Sequence, residues 1–124
     1  MRLIIASNNA HKVREIKEIL GDYFSEILSL KEAGIAIDVE EDGETFEQNA
    51  LKKAQEVLKI ADADADAVLS DDSGLMVDAL DGAPGVYSAR FAGEGHDDAA
   101  NNAKLMDMMR LVPEEKRTAR FVSA

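Results

Sequence analysis

The sequence contains no cysteine, which excludes disulfides and thiolate metal sites and permits a reducing cytoplasm. Positive charge is scarce, with 14 Lys and Arg against 25 Asp and Glu and a formal net charge of −11. That balance argues against broad binding to nucleic-acid backbones, which needs clustered cations to displace counterions. A small anionic ligand stays possible, because a few local cations and backbone N–H groups outweigh the global charge at short range. Long hydrophobic runs are lacking too. The opening stretch Leu3–Ala6 is too short for a signal-peptide core, and nothing approaches a membrane span, so a cytoplasmic protein with no membrane partner is expected. Internal repeats and interdomain linkers are likewise missing. What is present is a 124-residue chain, 46% hydrophobic and 31% charged, enough for one soluble globular domain with a modest core.

Local patterns place the elements. Leu3 to Ala6 forms a continuous apolar run ending at Ser7-Asn8-Asn9, the pattern of a short buried strand. From Ala10 the spacing predicts a helix with Val13, Ile16, Ile19 and Leu20 on one face, Asn9 as its N-cap and Gly21 as its stop. Ile27–Leu30 reads as a second strand, and residues 31–44 as an acid-rich loop. Thr45 and Gln48 have capping-box spacing at the head of a second helix. Its apolar face uses Phe46, Ala50, Leu51, Ala54, Val57 and Leu58, and it runs to about Ala61. Residues 62–67 alternate Asp and Ala and are expected as a solvated turn. Val68–Ser70 and Leu75–Val77 read as strands, Gly82-Ala83-Pro84-Gly85 as a turn, and Tyr87–Phe91 as extended again. A third helix over 98–111 should turn Leu105, Met108 and Met109 inward, with Met106, Met108 and Met109 as core filler. Residues 118–124 alternate like a strand, and a chain that stops there reads as cut short. His11 and His96 lack metal-ligand spacing and are expected on the surface.

Three polar clusters stand beside expected strand ends, where open α/β sheets hold ligands. Ser7-Asn8-Asn9-Ala10-His11-Lys12 opens a helix, offering backbone N–H groups, the positive dipole end, a hydroxyl, an amide and an ammonium to a phosphate. The plainer alternative is an ordinary N-cap beside a surface lysine. Glu40-Glu41 with Lys53 could hold Mg²⁺, which takes one or two carboxylates plus waters and phosphate oxygens; standing alone, the run reads better as a solvated face. In Asp71-Asp72-Ser73-Gly74 the adjacent carboxylates point in different directions. One could bind metal or orient water while the other caps backbone N–H groups, or the segment is simply an Asx turn.

Taken in order, Ser7-x-Asn9-x-x-Lys12, the acidic loop with Thr45-Phe46 and Asn49-Ala50, Asp71-Asp72-Ser73-Gly74-Leu75-x-Val77, and Gly82 to Phe91 resemble the inosine/xanthosine triphosphate pyrophosphatase family. These are the non-standard purine triphosphatases that cleanse the nucleotide pool. The resemblance covers essentially the whole chain, and its last two motifs together are highly specific. It implies an α/β fold with a mixed twisted sheet flanked by helices, here a single partial domain over 1–124, incomplete at the C-terminus. It also implies that Ser7, Asn9, Lys12 and Lys53 bind the triphosphate and that Ser73 contacts substrate. Glu41 and Asp72 would hold Mg²⁺, with Glu40 the fallback for Glu41. Asp72 would be the catalytic proton acceptor for the attacking water, and Asp71 would support the turn. The implied reaction releases pyrophosphate and leaves a nucleoside monophosphate.

Family members are longer, two-lobed and usually dimeric, so a homodimer is expected. Their later segment, which grips the purine base, has no counterpart after Ala124, and only four Phe and two Tyr are available to stack a base. Two readings follow. One is an enzyme whose activity needs that segment. The other is a non-catalytic fragment, an oligomeric or weak phosphate-binding module, whose exposed sheet edge favours self-association.

Overall fold

The computed structural model describes residues 1–61 and 65–124; Asp62, Ala63 and Asp64, the first half of the expected acidic turn, lie outside the described residues. The chain packs as two compact units. The first comprises Met1–Asp42 and Glu47–Asp71, the second Gly43–Phe46 and Asp72–Ala124.

The first unit is built on β1 (Arg2–Ile5), α1 (Ala10–Leu20), β2 (Glu26–Ser29), most of α2 (Phe46–Ala61) and β3 (Ala67–Leu69). The strands form one parallel sheet in the order β2-β1-β3. Ile4 lies opposite Leu28 on one side and Val68 on the other. A central parallel strand is covered on both faces, which is why Leu3, Ile4 and Ile5 form an unbroken apolar run rather than an alternating one. One face gathers Ile4, Ala6 and Leu30 against Val57 and Ala61 of α2.

Helix α1 follows its sequence signals closely. The Asn9 carboxamide oxygen accepts from the backbone N–H groups of His11 and Lys12, satisfying two of the donors that a helix start leaves open. Gly21 follows the last helical residue as expected, but in right-handed conformation rather than as a left-handed cap. Of the expected inner face Val13 is buried, while Ile19 is exposed. On α2, Ala50 and Val57 are buried as expected, yet Leu51 and Leu58 face out and the polar Asn49 is fully buried.

The second unit pairs β4 (Ser73–Val77) antiparallel with β5 (Ala119–Ser123), Ser73 opposite Ser123 and Val77 opposite Ala119. The class is therefore α/β as expected, with its parallel and antiparallel pairings carried by separate sheets. Between the two strands runs α3 (Asp98–Met109), capped by the Asp97 carboxylate on the Ala100 N–H. Tyr87–Phe91 is not extended: residues Gly85–Arg90 form a 3₁₀ helix. Its turns close locally, with Tyr87 N–H donating to Pro84 O and the Ser88 hydroxyl donating to Gly85 O at 2.6 Å. Of the methionines expected as core filler Met109 is buried, whereas Met106 and Met108 are exposed; the polar Asn101 is buried as well.

Candidate functional site

In the first unit the chain leaves β1, crosses to β2 on one side and later returns to β3 on the other, so β1 is where the sheet's winding reverses. Ligands of open α/β sheets sit at the carboxyl ends of strands at such a switch point. There the Ser7–Lys12 segment leaves β1 and Asp71 leaves β3.

Four charged side chains meet at this edge. The Lys12 ammonium lies 2.8 Å from the Asp71 carboxylate. The Lys53 ammonium donates to the Asp71 backbone oxygen at 2.8 Å and lies 2.7 Å from the Glu41 carboxylate. Both lysines thus converge on one residue, and two cations are balanced by two anions. The Lys53–Glu41 pair is the better shielded, its side chains 18% and 23% exposed. Ion pairs this open to water contribute at most about 1 kcal/mol each to stability. Holding long lysine stems in place is the larger consequence, because it orders ammonium groups before any ligand arrives.

The loop before α1 is tightly wired. Ser7 N–H donates to Ile5 O at 2.7 Å, Asn9 N–H donates to the Ser7 hydroxyl oxygen at 3.0 Å, and Leu30 N–H reaches Ser7 O. These bonds alter the expected phosphate cradle. The N–H groups of His11 and Lys12 are engaged by Asn9, so the side-chain donors this loop can offer an anion include the Ser7 O–H, the Asn9 NH₂ and the Lys12 ammonium. Of the two loop acids, Glu41 is the one joined to Lys53; Glu40 turns its side chain to solvent. Asp71 does more than support a turn, since its side chain and carbonyl each receive a lysine.

In the second unit Asp72 is buried, and its backbone exchanges two 2.9 Å hydrogen bonds with Ala124. Ser73 opens β4 and is exposed. Gly74 admits no side chain: a Cβ there would stand 2.6 Å from the Ser88 hydroxyl and 3.0 Å from the Phe46 ring. Leu75 N–H donates to that same hydroxyl at 3.0 Å. The Asp-Ser-Gly segment and the Gly82–Phe91 segment are therefore one packed piece, with Ser88 as the clasp. Asn101 is a second clasp, accepting from Ala92 N–H at 2.7 Å and donating to Ala89 O at 2.9 Å. Ser88 falls within the Gly82–Phe91 motif but without an expected role, and Asn101 was missed, since no local pattern announces either clasp.

Among the described residues no three His, Cys, Asp or Glu side chains gather into a metal cage, and no described helix is long and apolar enough to cross a membrane. His11 and His96 are exposed, as expected. A groove of about 590 Å³ lies elsewhere in the first unit, along α1 and the turn after β2, lined by Arg14, Lys17 and Lys31 among others. The convergence of Lys12 and Lys53 on Asp71 at the carboxyl ends of the strands makes the switch-point edge the candidate site.

The parallel sheet of the first unit thus presents two lysines, two carboxylates and a capped helix start at its switch point. The chain is a member of the Ham1 family, whose model matches residues 3–124. A dITP/XTP pyrophosphatase of Clostridium perfringens is 56% identical over 124 residues, covering 98% of this chain and 61% of the relative. One of Bacillus subtilis is 48% identical over 118 residues, covering 95% of this chain and 58% of the relative. The structure of the Staphylococcus aureus Ham1 protein superposes with a TM-score of 0.82 at 41% identity, covering 99% of this chain and 60% of that one. The chain spans about three fifths of the length of these relatives.

Proposed function

We propose that this chain carries the phosphate- and metal-handling part of a hydrolase that converts non-standard purine nucleoside triphosphates, those of inosine, deoxyinosine and xanthosine, to monophosphate and pyrophosphate. The convergence of Lys12 and Lys53 on Asp71 at the switch point is the observation that carries the reading. The substrate class is supported by the dITP/XTP pyrophosphatase names of its relatives.

In this reading Ser7, Asn9, Lys12 and Lys53 bind the triphosphate, and Ser73 touches substrate. A triphosphate competes with Asp71 and Glu41 for the two ammonium groups. Glu41 and Asp72 are proposed as Mg²⁺ ligands. Carboxylate oxygens suit a hard ion that also takes waters and phosphate oxygens. Bound there, Mg²⁺ supplies charge neutralisation and alignment of phosphate oxygens. Asp72 takes a proton from the water that attacks the α-phosphorus. The bond from that phosphorus to the oxygen bridging to the β-phosphorus breaks, and pyrophosphate leaves with the bonding electrons. Charge building on the phosphoryl oxygens is met by the two lysines, which strengthen in effect as that charge grows. A homodimer in the cytoplasm completes the proposal.

The test is pyrophosphate release from inosine triphosphate with Mg²⁺, beside adenosine and guanosine triphosphates, for this chain and its Asp72→Asn variant. Selective release that the variant loses supports the full reading. Folded protein that releases nothing restricts these residues to phosphate binding and moves base choice and turnover outside them.

A further inference from the structure

Glu41 sits in a loop with no regular structure, between β2 and α2, and a metal ligand on such a loop binds well only if something holds the loop still. Two consecutive lysines of α2 reach it. Lys53 meets the Glu41 carboxylate itself. Lys52 meets the residues on either side: its ammonium donates to the Glu40 backbone oxygen at 2.8 Å and to the Asp42 carboxylate at 2.8 Å. All of these residues belong to the first unit.

We infer that Lys52 is a positioning residue that straps the 40–42 loop onto α2 and so presents Glu41 to the metal. The inference rests on Glu41 being a metal ligand. When that ligand exchanges Lys53 for a cation, Lys53 lets go of the loop, and Lys52 is left holding it on both flanks. Lys52 thus acts in the loaded state, where Lys53 cannot.

Charge and positioning predict opposite signs, which makes the idea decidable. Removing an ammonium near a cation site, by charge alone, tightens cation binding. Removing a strap loosens it. The measurement is the dissociation constant of Mn²⁺ alone, a paramagnetic ion that takes the same oxygen donors, read from the free-ion resonance signal. Lys52→Met, which keeps the aliphatic stem, is expected to weaken Mn²⁺ about threefold, the order of an exposed ion pair, and Lys52→Arg to restore it. Glu41→Gln is measured alongside. Unchanged or tighter binding in Lys52→Met with weaker binding in Glu41→Gln overturns the strap and leaves the ligand in place. No effect of Glu41→Gln removes the ligand, and the strap with it.

Discussion

Ile4, Ile5 and Val57 in the first unit are almost completely buried, whereas in the second unit β5 leaves Phe121 85% exposed and α3 buries only Asn101 and Met109. The difference follows from sheet type. A parallel strand with neighbours on both sides must be covered on both faces, so its side chains become core. A two-stranded antiparallel ribbon has one ladder and little interior, and is marginal without further support. The second unit finds that support in polar clasps: Ser88 on Leu75, Asn101 on Ala89 and Ala92, Arg117 on the carbonyl of Met109 that ends α3, and Thr118 on Asp78. One unit is held by apolar packing, the other by side-chain hydrogen bonds, most of them to backbone.

The sharpest test of that contrast deletes packing in each unit. Ile4→Ala removes a fully buried branched side chain from the centre of the sheet and should lower the unfolding free energy by about 3 kcal/mol. Phe121→Ala, though a larger truncation, removes a ring that stands in solvent and should change it by less than about 0.5 kcal/mol. Urea unfolding of both variants checks the pair. Equal losses would mean that the second unit has a core as well packed as the first.

The converse test deletes a clasp. Asn101→Ala strands the Ala92 N–H and the Ala89 carbonyl in a partly buried place, at a cost of about 1–2 kcal/mol. Amide hydrogen exchange is the suitable measurement, because it reports opening locally. Faster exchange at Ala92 and through α3, with β1 amides unchanged, is the expected outcome; uniform acceleration would show that the two units open together.

How much of this was legible in the sequence depended on whether the cause was local. The Asn9 cap and the continuous run of β1 are written in adjacent residues, and both are found where expected. The outward turn of Leu51, Leu58 and Met108 was not legible, since helical spacing says which residues share a face but not what lies against it. Tyr87–Phe91 looked extended because short apolar segments do not reveal their period, and the bonds that curl it come from Pro84 and Gly85. At the site, Ser7, Asn9 and Lys12 were readable as a loop opening a helix. The capture of Lys12 and Lys53 by Asp71 was not, because it joins the ends of two strands that only the sheet brings side by side.

A smaller effect tests the local, legible part. Asn9→Ala should cost about 1 kcal/mol in urea unfolding, by leaving the His11 and Lys12 N–H groups without their acceptor, whereas Asn9→Gly should cost only a few tenths, since glycine is itself tolerated at this position. Equal costs would show that Asn9 acts by something other than capping α1.

The smallest effect probes how the first unit uses charge where it has no need of it for packing. Glu32 is held below the usual glutamate range first by its hydrogen bond from the Lys17 ammonium, at 2.9 Å, and then by the Ser29 N–H. A carboxyl lowered on folding binds fewer protons in the folded chain than in the unfolded one, so in acid the stability rises with pH. Its contribution is complete above the ordinary glutamate range and disappears as the pH falls through the lowered value. The urea midpoint of Glu32→Gln should therefore lie slightly below that of the parent at neutral pH, and the two should meet in acid. A gap that stays constant down to about pH 3 would mean that Glu32 acts through shape alone, as a neutral side chain would, and that its charge pairing with Lys17 adds nothing to stability.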